Sequence, residues 1–215
     1  MIEIDQKEVL RYLGFRRGNG PDALLMSEIE KCERELQDAV LPKSIVRRFP
    51  LEQIDEKTLR FAGITIVSHS LSKNLANCSE VYLFGATLGV GPDRLISRAQ
   101  VVKMSDAVIY QAASAAMIET WCDTVNEKIR KEVSAEGLFT RPRYSPGYGD
   151  CPLEVQRDLI RVLDAPKQIG LTLTDSLLMM PSKSVTAVIG VSDVPVICHP
   201  KGCESCAKTD CEYRR

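Results

Sequence analysis

From Ser105 to Val133 the chain runs through a long stretch rich in Ala, Val, Ile and Met and then through the amphipathic Thr124-Val125-Asn126-Glu127-Lys128-Ile129-Arg130-Lys131. This is the strongest helix signal in the sequence. Its first half is small and apolar on every side, so the helix is expected to be central and buried. Glu119 lies inside that apolar half. An unpaired carboxylate is too costly to bury, so Glu119 must be paired, exposed along one edge, or functional.

The remaining periodicities supply what packs around such a helix. Ile4 to Leu13 reads as a short helix, and Asp22 to Val40 as a second one, with Leu25, Ile29, Cys32, Leu36 and Val40 recurring every three or four positions before Pro42. Ser44 to Phe49 and Ile64 to Val67 read as strands, Ser70 to Cys78 as a brief helix, and Glu80 to Leu83 as a buried strand. Pro92 sits where a further helix begins, with Asp93 to Val101 continuing it. Leu153 to Leu163 reads as a helix, and Leu171 to Met179 and Ser184 to Val191 as two strands joined at Pro181-Ser182-Lys183. This order predicts an α+β fold: a twisted antiparallel sheet with several helices, one of them long and central, and an irregular ligand loop.

With 215 residues, 44% apolar and 27% charged, the chain is long enough to bury a core without disulfides. We expect one domain over residues 1–195 and a cysteine-rich tail over 196–215. The 28 Lys and Arg nearly balance 29 Asp and Glu, which argues against a nucleic-acid partner. No apolar run approaches the ~20 residues that span a bilayer, and the N-terminus lacks a basic segment followed by an apolar one, so the expected location is the cytoplasm.

Two segments invite a chemical reading. Gly85-Ala86-Thr87-Leu88-Gly89-Val90-Gly91 has neither the Gly-x-Gly-x-x-Gly order nor a following Gly-Lys-Ser/Thr, so a plain strand-to-helix turn is favoured over a phosphate site. Arg141-Pro142-Arg143-Tyr144-Ser145-Pro146-Gly147-Tyr148-Gly149-Asp150-Cys151-Pro152 cannot be regular structure and suits a small zwitterion. Arginine grips a carboxylate with paired hydrogen bonds, tyrosine covers an apolar body, and glycine lets the backbone approach a ligand. The bland alternatives are that Arg143 neutralises Asp150 and that Tyr148 is a core tyrosine. Trp121 and Met179-Met180 read as core or rim packing, and His69 as a turn or surface residue.

Arg143-Tyr144-Ser145-Pro146-Gly147-Tyr148 resembles the Arg-x-x-x-Gly-Tyr motif of the activation domain of cobalamin-dependent methionine synthase, which contacts S-adenosylmethionine there. Leu173-Thr174-Asp175-Ser176 through Met180-Pro181-Ser182-Lys183-Ser184-Val185 resembles that family's following hairpin. Ala116-Met117-Ile118-Glu119-Thr120-Trp121 through Lys131 resembles its long helix with an acidic residue. The three blocks span roughly 105–191 in the same order. The resemblance implies that Arg143 pairs with the ligand carboxylate, that Ser145 offers its backbone to the adenine or amino group, and that Gly147 and Tyr148 complete the motif, with Tyr148 shielding the ligand. Glu119 matches an acidic position that touches ligand or steadies the loop, and Asp5 matches an aspartate that binds the ligand amino group. The family's aromatic strand after the hairpin is here Gly190-Val191-Ser192-Asp193-Val194-Pro195, a departure that removes shielding from that side.

The resemblance further implies a stand-alone module that supports reductive methylation, and so reactivation, of cobalamin held by a separate corrinoid-binding methionine synthase subunit, with an electron-donor protein as a further partner. No Asp-x-His-x-x-Gly cobalamin motif occurs in the chain. Cys198-x4-Cys203-x2-Cys206-x4-Cys211, with His199, has the density of a metal knuckle, either tetrahedral zinc or an iron-sulfur ligand set, against a disulfide-bonded or disordered tail. That cluster motivates an alternative: a metal-binding redox or scaffold protein with the activation-domain fold that acts on another corrinoid protein.

Overall fold

The computed structural model describes residues 2–15 and 20–195, so the cysteines at 198–211 lie outside the described residues. Two short aspartates start the first helices. Asp5 accepts the N–H groups of Lys7 and Glu8 to open α1 (Gln6–Tyr12), and Asp22 accepts that of Leu25 to open α2 (Ala23–Ala39). The strands β1 (Lys43–Gln53), β2 (Thr58–Phe61), β3 (Ile64–Val67), β4 (Glu80–Thr87), β5 (Phe139–Thr140) and β8 (Ser184–Ser192) form one antiparallel sheet in the order β3-β2-β1-β4-β8-β5. A separate two-stranded ribbon pairs β6 (Thr172–Leu173) with β7 (Met179–Met180). The fold is therefore α+β with an antiparallel sheet.

β4 and β8 lie next to each other in the middle of the sheet, and helices cover both of its faces. Tyr82, Phe84 and Ala86 of β4 and Ala187, Ile189 and Val191 of β8 face a core shared with α1, α2, α4 (Gly91–Val102) and α5 (Met104–Ala135). Val81, Leu83 and Val188 face a second core against α3 (His69–Asn74), α6 (Val155–Leu163) and α7 (Ala165–Ile169). Burial on both faces explains why β4 and β8 read as nearly continuous apolar runs. The long helix packs along the first core with Ala113, Met117, Cys122 and Val133 fully buried.

Three sequence readings change. β4 continues through Gly85 to Thr87, so that glycine belongs to a strand. At Gly91 a Cβ would stand 2.0 Å from the Ala39 carbonyl oxygen, so this glycine permits α4 to start against the end of α2. Its role is close packing. The strand expected over Leu171 to Met179 is instead a tight ribbon, because Thr174-Asp175-Ser176-Leu177 turns the chain and the Thr174 N–H donates to the Leu178 carbonyl at 2.9 Å. The following strand, β8, is buried on both faces and pairs with β4 and β5 in the main sheet. β2 was absent from the sequence reading; it pairs with β1 at Leu51–Gln53, beyond where β1 was expected to end.

Candidate functional site

The irregular segment after β5 is tacked to the outer edge of β8. The Arg141 N–H donates to the Gly190 carbonyl at 2.8 Å, and Tyr144 and Val188 exchange both backbone hydrogen bonds, at 2.9 and 2.8 Å. Arg141 is buried and spans to the end of α3, donating to the Ala76 carbonyl at 2.9 Å and the Ser192 hydroxyl at 3.3 Å. Beyond Tyr144 the chain folds on itself. The Tyr144 hydroxyl donates to the Tyr148 carbonyl, the Gly147 N–H to the Cys151 carbonyl, and the Cys151 N–H to the Tyr148 carbonyl. Gly147 has φ +87°, a conformation that L side chains rarely adopt, and it sets the direction in which Tyr148 leaves the loop.

Asp150 fixes the other end of the loop. Its carboxylate accepts the Ser68 hydroxyl at 2.6 Å and the N–H groups of His69 and Ser70 at 2.7 and 2.9 Å, at the start of α3. These donors hold its pKa well below the usual carboxylate value. Asp150 is therefore committed to α3 and does not neutralise Arg143. His69 takes part through its backbone at the first turn of α3, as a turn residue.

Arg143 instead reaches the long helix. Its Nη2 lies 2.9 Å from Asp123 and 3.4 Å from Glu119, one helical turn apart on α5, while its Nη1 is buried without a hydrogen-bond partner. Cys122, between the two acids, is buried, and burial pushes its thiol up to about 12. Glu119 is thus both paired and half-exposed. Tyr148 is 69% exposed, which rules out the core-tyrosine alternative.

A cleft of about 660 Å³ opens beside this loop. Glu119 of α5 lines it, as do Ser145, Pro146 and Tyr148 of the loop, Leu153 and Gln156 at the start of α6, the ribbon from Thr174 to Met180, and Ser184 to Thr186 of β8. Gln156 holds the ribbon turn by donating to the Leu177 carbonyl at 3.0 Å. The structure therefore brings Glu119, Ser145 and Tyr148 to one cavity, with Gly147 between the last two and Arg143 behind Glu119. Arg143 itself is not among the lining residues, and neither is Asp5, whose carboxylate caps α1. Trp121 donates to the Lys43 carbonyl at 3.1 Å and packs at the rim of the first core.

Sequence reasoning overlooked Gln156, Thr174, Ser182, Ser184 and Thr186 as cleft residues, and treated Met179-Met180 as packing although both line the cavity. A signal was present for Thr186, a hydroxyl in the middle of an otherwise apolar strand. Among the described residues no three His, Cys, Asp or Glu side chains gather as a metal site, and no helix is long and apolar enough to cross a membrane.

An antiparallel sheet with helices on both faces, whose open edge carries a cleft bounded by an Arg-x-x-x-Gly-Tyr loop and an acidic helix, defines a small-molecule-binding α+β module. The family model for the activation domain of vitamin B12 dependent methionine synthase matches residues 83–194, from β4 to the end of β8. The chain belongs to that family. A solved structure described as the MetH reactivation domain bound to AdoHcy is similar in fold, with a TM-score of 0.65 and 16% sequence identity, over 91% of this chain and 76% of that one.

Proposed function

We propose that the cleft binds S-adenosylmethionine and that the chain presents its methyl group to cobalamin held by a separate methionine synthase subunit, reactivating that cofactor. The observation that carries this reading is the convergence of Ser145 and Tyr148 of the motif, Glu119, and Ser184 to Thr186 of β8 on one cavity, with Arg143 paired behind Glu119, within a chain of this family. The donor set fits the ligand. Arg143 keeps Nη1 unpaired while Asp123 and Glu119 hold its Nη2, so a ligand carboxylate would satisfy a buried donor that otherwise costs free energy. The Glu119 carboxylate suits the ligand's ammonium group and sulfonium charge. Ser145 and Gly147 offer backbone at close approach, and the exposed Tyr148 ring is free to fold over the ligand. Asp5 stands outside this set: it caps α1 through Oδ1 and does not line the cleft.

When bound, S-adenosylmethionine would supply an electrophilic methyl group to a partner-held corrinoid reduced by an electron from a donor protein, leaving S-adenosylhomocysteine in the cleft. The protein's own contribution is to hold the donor with its methyl outward and to exclude misaligned approaches, so that proximity and orientation lower the barrier. A cytoplasmic location and a cobalamin-carrying partner follow from this role. The domain is proposed to comprise residues 1–195, with residues 196–215 as a separate tail. Calorimetric titration of S-adenosylmethionine into the chain tests the reading: saturable one-site binding that Glu119→Gln weakens is expected, and no heat and no thermal shift at millimolar ligand would overturn it. A pull-down from its own cell extract is expected to recover a corrinoid protein.

A further inference from the structure

One wall of the cleft carries a hydrogen-bonding edge that the Arg-x-x-x-Gly-Tyr motif does not include. β8 is paired with β4 from Ser184 to Val191, but on its other side the pairing stops early. There Ser192 faces Phe139, the Gly190 carbonyl accepts from Arg141, and Val188 exchanges both bonds with Tyr144. In an antiparallel strand every second residue turns its N–H and C=O to the same side. The series 192, 190, 188 therefore continues to Thr186 and Ser184, while Lys183 points the other way and gives its carbonyl to the Leu88 N–H of the β4 side at 2.9 Å. Past Tyr144 the loop leaves through Ser145 and Pro146 toward α6, so among the described residues no strand pairs with Thr186 and Ser184 on this side. Both residues line the cleft.

A second observation points the same way. Thr186 is 1% exposed, yet its Oγ1 is buried with no hydrogen-bond partner. A buried unsatisfied hydroxyl is uncommon and calls for a ligand or another explanation. Thr186 thus brings a buried side-chain hydroxyl that has no partner, and by strand alternation a backbone N–H turned away from β4, to a cavity, next to the outward carbonyl of Ser184.

An acceptor at residue i and a donor at residue i+2 on one open strand edge are completed by any planar group that carries a donor beside an acceptor. The amidine edge of a 6-aminopurine is such a group, with an exocyclic amino donor next to a ring-nitrogen acceptor. We propose that Ser184 and Thr186 read the base of the bound nucleoside: the Ser184 carbonyl accepts the 6-amino group, the Thr186 N–H donates to the adjacent ring nitrogen, and Thr186 Oγ1 makes a further bond to the ring system. The edge is matched to adenine and mismatched to hypoxanthine, where a carbonyl replaces the amino group and the ring nitrogen becomes a donor. This assignment rests on the reading of the cleft as an S-adenosylmethionine site.

The test is competitive calorimetry with S-adenosylmethionine and its deaminated counterpart, S-inosylmethionine, on the unaltered chain. A site built around hydrogen bonds rejects a ligand that leaves its groups unpaired, so deamination is expected to weaken binding by roughly 100-fold or more. Equal affinity within about threefold, with S-adenosylmethionine itself bound, would overturn the assignment and leave the ligand reading standing. Failure of S-adenosylmethionine to bind at all would overturn both. Thr186→Val, which keeps the shape and removes Oγ1, is expected to weaken binding about 5-fold while melting near the wild type, in line with one neutral hydrogen bond. Hydrogen exchange at the Thr186 amide should slow on ligand addition; an amide that exchanges equally fast with and without bound ligand would refute its role as donor.

Discussion

Replacing Arg143 with alanine separates what this residue does for the fold from what it does for the ligand. Its pairs with Asp123 and Glu119 involve acids that are 73% and 53% exposed, so each contributes only ~0.2–1 kcal/mol. Removing the guanidinium also leaves two carboxylates one turn apart on α5, which repel by ~0.2–0.5 kcal/mol. Against this, the variant relieves the buried Nη1 that lacks a partner, a group whose desolvation costs ~1–3 kcal/mol. The terms nearly cancel, and a net change within about 1 kcal/mol moves Tm by no more than roughly 4 °C in a chain of this size. A charge-assisted bond to the ligand carboxylate, by contrast, contributes ~1.5–3 kcal/mol, or about 10- to 150-fold in Kd. Calorimetry with S-adenosylmethionine and a thermal melt on the same samples read the two effects separately. Arg143→Lys should fall between, since it keeps the charge and loses the planar fork. An Arg143→Ala protein that melts normally and binds within threefold of wild type would refute the assignment of Nη1 to the ligand.

Other outcomes follow from the same geometry. In Gly190→Ala the new Cβ would stand 2.6 Å from Cys78 Sγ and 2.7 Å from Leu75 Cδ2, so overpacking is expected to cost ~1–3 kcal/mol, read by urea unfolding. The depressed pKa of Asp150 means that its contribution is complete above the unfolded value of ~3.9 and is lost as pH falls through the folded value. Asp150→Asn should therefore unfold more readily at neutral pH and show a flatter acid transition below about pH 4, followed by circular dichroism. Burial raises the thiols of Cys32 and Cys151 to about 11 and that of Cys122 to about 12. Iodoacetamide at pH 8 should leave all three unmodified in native protein and label them after denaturation, as peptide mass spectrometry would show. Tyr148→Ala should leave Tm nearly unchanged, because the ring is mostly exposed, while weakening S-adenosylmethionine binding in calorimetry.

Local rules made much of this protein legible in the sequence. The long helix, the run into β4 and the non-regular segment from Arg141 to Pro152 each follow from periodicity, or from proline and glycine within a few residues, and these operate without knowledge of the rest of the chain. The motif from Arg143 to Tyr148 was readable for the same reason, since it is contiguous. The partners were not readable. Arg143 could have met Asp150 seven residues away, but that carboxylate is taken by the N–H groups at the start of α3, and the guanidinium crosses to Asp123 and Glu119 on another element. Likewise, β8 was expected to close a hairpin, and only the competition for the middle of the sheet places it between β4 and the loop. That placement decides which of its backbone groups are paired and which face a cavity. Helix propensity, caps and turns are set by near neighbours, whereas strand pairing and the pairing of charges depend on which distant surfaces meet, and so the cleft, with Thr186 in its wall, exists only in the folded chain.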